Sequence, residues 1–307
     1  MGDLLKMQRR LLHAARELSA DGYTPVELRE AIPYIQKFHH CTMVVKVGGS
    51  VLEDEDIDHT TFFKDVVFMA HIGARMILVH GGSRQLTTRM EAEGITPDIV
   101  HGVRRTNRRV LGLAVEEFNK LNKRITECVK AAGGKPVPFL AGKSDVIQAE
   151  RKDKDPENFV GKVTGVNIER LTVLKDKCIP LVTCIGTDSD GTLLNINADE
   201  VAAAIAKSLK AAKLIVLTDA NGVNDAKGKL ISTLTMRQTT SLLASGVINK
   251  GMIPKVKTCI DALRAGVGKA HIINGNKTGA LLSEVLTDGG IGTEIVMAKK
   301  SRVRRSA

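Results

Sequence analysis

The 307-residue chain carries 45 lysines and arginines against 34 aspartates and glutamates, for a formal net charge of +11, and 43% of its residues are apolar. That composition suits one large α/β domain or two lobes with a full core, and the length of the apolar runs, none near the ~20 residues of a membrane span, excludes a transmembrane helix. The five cysteines (Cys41, Cys128, Cys178, Cys184, Cys259) are odd in number, lack C-x-x-C spacing and join no histidine cluster, which excludes a zinc site or a disulfide framework and predicts reduced, mostly buried thiols.

In chain order, Leu4–Ser19 places leucines and alanines at helical spacing, and Ala20–Pro25 breaks that helix. Val26–Phe38 reads as a second helix, kinked or restarted at Pro33. The N-terminus lacks the apolar core of a signal peptide, and Asp3 and Glu17 argue against a transit peptide. From residue 42 the pattern changes. β-Branched runs at Thr42–Val47, Arg75–His80, Ile179–Gly186, Lys213–Asp219 and Lys269–Gly275 predict strands. Helical patterns lie between them at Phe62–Ile72, Gln85–Glu93, Arg109–Ala132, Ala198–Ala212, Thr239–Ala244 and Pro254–Ala265. Continuous apolar strands alternating with helices predict a mostly parallel sheet covered on both faces. The polar stretch Ala141–Leu171 predicts a hairpin near its middle that separates two lobes. The basic runs at Arg104–Arg109 and Lys299–Arg305 read first as solvated faces and a basic tail, with no nucleic-acid motif beside them. Aromatics, at 3% with no Trp, give no platform for stacking bases.

Glycines mark where a ligand goes. Gly48-Gly49, Gly81-Gly82 and Gly275 each follow the carboxyl end of a predicted strand, the edge at which open α/β sheets bind ligands. Glycine lets backbone N–H groups approach anionic oxygens closely. The stretch MVVKVGGSVLED (Met43–Asp54) puts Lys46 beside the first pair but does not have the spacing of a Walker A loop.

Six motifs occur in register: KVGGS (Lys46–Ser50), VHGGSRQL (Val79–Leu86), HGVRRT (His101–Thr106), LLNINADEVAAAIA (Leu193–Ala206), LIVLTDANGV (Leu214–Val223) and KGMIPKVKTCIDALRAGV (Lys250–Val267). Together they resemble the amino acid kinase family, and within it the branch that phosphorylates N-acetyl-L-glutamate, over roughly residues 26–296. The resemblance implies a three-layer α/β/α sandwich around a mostly parallel central sheet, with an N-terminal helical extension. It implies a helical oligomerisation segment at 1–40, an acyl-amino-acid lobe and dimer interface at 41–185, a nucleotide lobe at 186–298 and a basic tail at 299–307. The implied reaction transfers the γ-phosphoryl group of ATP, with Mg²⁺ carried by the nucleotide, onto a carboxylate in arginine biosynthesis in the cytoplasm. Such a transfer needs positioning and charge neutralisation more than covalent help. The nucleophile is already ionised at neutral pH, so no general base is required.

By the same resemblance Lys46 and Lys255 flank the migrating phosphoryl group and Asp199 organises them. Asp199 also opens a predicted helix, where capping is its structural alternative. Arg104, rather than its neighbour Arg105, grips the substrate α-carboxylate, since a guanidinium fork suits a carboxylate. Gly82, Ser83, Asn195 and Asn197 contact the acyl substrate. Gly48, Gly49, Thr218, Asp219 and Met252 line the nucleotide pocket. The segment PYIQKF before the first strand resembles the arginine-inhibited, hexameric type, which implies an arginine site near Tyr34, His271, Glu284 and Gly292, and a homo-oligomer that is a dimer or a trimer of dimers. No metal ligands, membrane contact or nucleic-acid partner are implied. The chain departs from the family pattern at Ser83, where a third glycine is usual, at Ser50 in place of asparagine, and at Lys250 in place of glycine. An N-acetylaminoadipate kinase and a non-catalytic arginine or amino-acid sensor on the same fold are the competing readings.

Overall fold

A computed structural model of the chain describes residues 25–48, 59–100, 103–248, 251–287 and 290–298. The helix expected at Leu4–Ser19, Gly49, Ser50, Lys250 and the basic tail lie outside them.

α1 (Pro25–Phe38) leads into β1 (Thr42–Val47), α2 (His59–His71), β2 (Arg75–His80), α3 (Ser83–Ala92) and the short hairpin of β3 (Ile99–Val100) and β4 (Val103–Arg104). The 24-residue α4 (Arg108–Ala131) follows, then β5 (Lys135–Phe139), β6 (Ile147–Arg151), β7 (Gly161–Val166), α5 (Glu169–Thr172), β8 (Cys178–Thr183), β9 (Ile185–Thr187) and β10 (Leu193–Asn195). The last third holds α6 (Ala198–Ser208), β11 (Lys213–Thr218), β12 (Thr233–Thr235), α7 (Met236–Ala244), α8 (Ile253–Arg264), β13 (Lys269–Asn274), α9 (Ala280–Leu286) and β14 (Thr293–Val296).

Eight strands form one sheet in the order β12-β14-β13-β11-β1-β2-β8-β5, and residues on both sides of position 185 contribute to it. The run from β13 to β5 is parallel throughout, and β14 reverses direction against β13. A second sheet, β10-β9-β6-β7, stands beside it, and its antiparallel β6–β7 pair is the hairpin expected in the polar stretch.

The alternation of strand side chains divides the core in two. Met43, Val45 and Val47 of β1 join Leu78, Ile215 and Ile273 under α2 and α9. Val44 joins Val79, Val216 and Ile272 under α6 and α8, with Val201, Ile205, Val256 and Ile260 from those helices. Residue 46 must therefore project toward α6 and α8. A lysine there is in a layer otherwise filled by aliphatic side chains, and only a partner from those helices can compensate its burial.

Several expectations change in detail. Pro33 lies inside a continuous α1. The predicted strand Ile179–Gly186 is two strands, β8 in the large sheet and β9 in the small one, because the chain crosses between sheets at Cys184. All five cysteines are free, but only Cys184 and Cys259 are buried, and the other three are half-buried. The Arg104–Arg109 run is not a uniformly solvated face, since Arg104 is buried.

Candidate active site

The cavity at the carboxyl edge of β1 and β2 has a volume of about 220 Å³. Two helices begin at it, and a third reaches in: Gly82 precedes α3 without a side-chain cap, Asn197 caps α6, and Lys255 extends from the first turn of α8. The positive ends of the α3 and α6 dipoles thus lie at one volume, which favours anions.

Lys46 reaches that volume from β1. Its Nζ lies 2.9 Å from Asp199 Oδ1, and Lys255 Nζ lies 3.2 Å from Asp199 Oδ2. One buried carboxylate therefore holds two ammonium groups from elements more than 200 residues apart in the chain. Burial alone would raise the Asp199 pKa, but Lys46 and Lys255 outweigh it and hold the carboxyl below its ordinary range. The helix cap is supplied by Asn197, whose Oδ1 accepts from the Asp199 N–H at 2.8 Å, and this leaves the Asp199 carboxylate to the lysines. Asn197 lines the cavity, but its side-chain oxygen is committed to that cap.

At the other end of the cavity, Arg104 is 6% exposed and, among the described residues, has no carboxylate within ion-pair distance. Its Nη2 donates to Thr87 Oγ1 at 2.6 Å and to the Ser83 carbonyl at 2.9 Å, so neutral acceptors fix the guanidinium without neutralising it. Burial lowers its pKa, and Glu91 acts in the opposite direction. Arg105 turns outward to Asp155 at 2.7 Å, which separates the two arginines. Asn195 donates to Thr106 Oγ1 at 3.1 Å and also lines the cavity. Cys184 lies in the wall, with its thiol pushed up to about 12 by burial.

The second glycine turn is shaped by packing. A Cβ on Gly82 would stand 2.5 Å from Phe118 Cδ1, so only glycine lets α4 pack so closely behind the turn. Gly48, Gly81, Gly82 and Ser83 all line the cavity. Thr218, Asp219 and Met252 do not. Thr218 ends β11 and donates to Asp219 Oδ1 at 3.0 Å, while Met252 is buried at the start of α8. Lys152, on the turn after β6, lines the same cavity and was not singled out from sequence, because one lysine in the lysine-rich stretch 151–154 carries no distinguishing pattern.

On the opposite face of the large sheet, His271 Nδ1 meets Glu284 Oε1 at 2.6 Å, and its Nε2 faces Lys213 Nζ at 2.9 Å. Glu284 Oε2 accepts from the Ile291 and Gly292 N–H groups at 2.8 and 3.0 Å. Lys213 lies 5.2 Å from the Phe38 ring, and Tyr34 stacks on Phe38. The four residues expected near an arginine site therefore gather between α1, β13 and α9. Burial pushes the Lys213 pKa down to about 8, with Lys269 adding to the shift.

Two lysines bridged by a buried carboxylate, facing a buried and unneutralised guanidinium across a cavity at the positive ends of two helices, define a class of protein that brings two anions together. The chain belongs to the amino acid kinase family, whose model matches residues 42–274. It is 39% identical over 284 residues to the acetylglutamate kinase of Syntrophus aciditrophicus, covering 88% of this chain and 96% of that one. It is 40% identical over 276 residues to the acetylglutamate kinase of Desulforamulus reducens, with the same coverage. Among solved structures it is similar to N-acetylglutamate synthase from Neisseria gonorrhoeae complexed with coenzyme A and N-acetyl-glutamate, at 26% identity and a TM-score of 0.82. That match covers 91% of this chain and 65% of the synthase.

Proposed function

We propose that the chain phosphorylates the side-chain carboxylate of N-acetyl-L-glutamate with ATP, giving N-acetyl-L-glutamyl 5-phosphate and ADP for arginine biosynthesis in the cytoplasm. The observation that carries this reading is the Lys46–Asp199–Lys255 cluster placed across one cavity from Arg104. It is supported by the near-complete coverage of relatives named acetylglutamate kinase.

In this reading the Arg104 fork binds the α-carboxylate, Asn195 and Ser83 fix the acyl group, and Gly82 lies beside the carboxylate that reacts. The side-chain carboxylate then points between the lysines. A carboxylate oxygen attacks the γ-phosphorus, a new O–P bond forms, and the bond to the β-phosphate oxygen breaks. No proton moves, since the nucleophile is already ionised. Lys46 and Lys255 stabilise the charge that spreads over the entering, transferring and leaving oxygens, and Asp199 keeps both lysines charged and aimed. Both Asp199 oxygens face ammonium groups, and Mg²⁺ in this reading is brought by the nucleotide as Mg–ATP. Residues 41–185 chiefly hold the acyl substrate and residues 186–298 the nucleotide, with Gly48, Thr218, Asp219 and Met252 nearest to it; Gly49, assigned with them from sequence, lies outside the described residues.

We also propose that arginine inhibits by binding at the cluster of Tyr34, His271, Glu284 and Gly292. A guanidinium there would compete with His271 and the 291–292 amides for the Glu284 carboxylate. The N-terminal extension would link protomers into a dimer or a hexamer.

The test mixes the chain with ATP, MgCl₂, N-acetyl-L-glutamate and hydroxylamine and reads the acyl hydroxamate, with N-acetylaminoadipate as a second substrate and arginine as a third arm. Hydroxamate from N-acetyl-L-glutamate is expected, and Lys46→Ala abolishes it. Arginine binding without ATP turnover would instead favour a sensor.

A further inference from the structure

The Gly81–Gly82 turn is held from behind by a side chain that the lysine–aspartate cluster does not use. His80 closes β2 and is fully buried. Its Nδ1 lies 3.0 Å from the Gly81 carbonyl oxygen, and its Nε2 lies 2.9 Å from Asn122 Nδ2 on α4. The same Asn122 nitrogen donates to the Leu181 carbonyl of β8 at 3.0 Å. That second bond fixes the amide's orientation, because a rotated amide would oppose two carbonyl oxygens. An amide nitrogen only donates and a carbonyl oxygen only accepts. The His80 proton therefore sits on Nδ1, Nε2 is bare, and the ring is neutral. Burial agrees, pushing the His80 pKa down to about 4 against the weaker pull of the Gly81 bond.

The consequence falls on the next peptide. No peptide bond among the described residues is cis, so the C=O and N–H of the Gly81–Gly82 unit point to opposite sides. With the carbonyl drawn to the ring, the Gly82 N–H turns the other way. Gly81, Gly82 and Ser83 line the cavity, and among the described residues no group accepts from the Gly82 N–H.

We propose that His80 is a positioning residue for phosphoryl transfer: its Nδ1–H holds the Gly81 carbonyl so that the Gly82 N–H is presented to the anionic oxygens of the group in transfer. The proposal rests on the carboxylate-kinase reading above.

Two variants separate positioning from plain support. In His80→Asn the amide nitrogen falls where Nδ1 stood, so the bond to Gly81 is kept and the Asn122 contact is lost. In His80→Gln the amide reaches the Nε2 position, and the bond to Gly81 is lost instead. Steady-state kinetics with ATP, MgCl₂ and N-acetyl-L-glutamate should show His80→Gln losing about tenfold or more in kcat with little change in KM, the signature of a lost transition-state donor. His80→Asn should stay within about threefold of wild type on the same scale. Equal kcat losses in the two variants overturn the proposal, since a purely structural role costs both alike. Because either variant could misfold, the wild-type chain gives a second readout. Nitrogen NMR of ¹⁵N-histidine-labelled protein at neutral pH should show His80 as the Nδ1–H tautomer, and an Nε2–H tautomer overturns the proposal. A wild-type chain without turnover defeats the kinase reading itself, whereas an active wild type with matched variants defeats only the role of His80.

Discussion

Replacing Asp199 by asparagine keeps the shape of the side chain and removes the charge that both lysines share. At 2.9 and 3.2 Å, each ion pair has a Coulomb attraction of about 5 to 6 kcal/mol at an effective dielectric constant of about 20. Desolvation cancels most of this, and breaking one partner of such a buried pair costs about 3 to 5 kcal/mol. If that loss falls on the transition state, kcat drops by about 10²- to 4 × 10³-fold, since each 1.4 kcal/mol is about tenfold. The KM for ATP should not rise, because a cavity with one fewer negative charge attracts the triphosphate at least as well. The assay is the hydroxamate reaction at varied ATP, with circular dichroism to check folding. A folded Asp199→Asn protein with kcat within about threefold of wild type would falsify the shared-counterion role.

Arg104→Lys keeps the charge and loses the fork, so the KM for N-acetyl-L-glutamate should rise about 10- to 100-fold with a smaller change in kcat; an unchanged KM in steady-state kinetics removes Arg104 from the substrate site. Gly82→Ala drives a methyl group to 2.5 Å from the Phe118 ring and should cost about 1 to 3 kcal/mol of stability. In thermal melts, adding Phe118→Leu should recover part of that loss, and strictly additive effects would show that the ring is not the obstacle. Acid stability should follow His80: the unfolded ring takes a proton below its ordinary value of 6.5, whereas the folded ring refuses one until about 4. Its contribution is complete above 6.5 and is lost as pH falls toward 4, by about 3 kcal/mol in all. Urea midpoints between pH 7.5 and 5 should therefore fall less steeply in His80→Gln, and an unaltered slope would refute the assignment.

Much of the site was legible because its chemistry is carried by strand ends. A β-branched run that stops at paired glycines can be read without coordinates, and the alternation along β1 fixes which face residue 46 takes. The resemblance then supplied the partners, and the folded chain brings Lys46, Asp199 and Lys255 together. What escaped lacks pattern. β5 reads KPVPF, and its prolines disguise a strand that survives at the sheet margin. β12 and β14 have three and four residues, and α9 has seven, too short for periodicity to register. Capping was open as an alternative task for Asp199, and it falls to Asn197, because both residue types cap helices and only geometry assigns the task. His80 and Asn122 are single polar residues in apolar surroundings, and nothing in a sequence pairs them across 42 positions.

The prolines of β5 have an effect beyond hiding it. Pro136 and Pro138 stand two apart, so both missing N–H groups fall on the same side of the strand, and the side left with donors is the one laddered to β8. The outward flank of this margin therefore offers carbonyls but no complementary donors at those positions. A stray strand from another molecule finds only half a template there, acceptors without donors at two positions, so a full ladder cannot form along that flank.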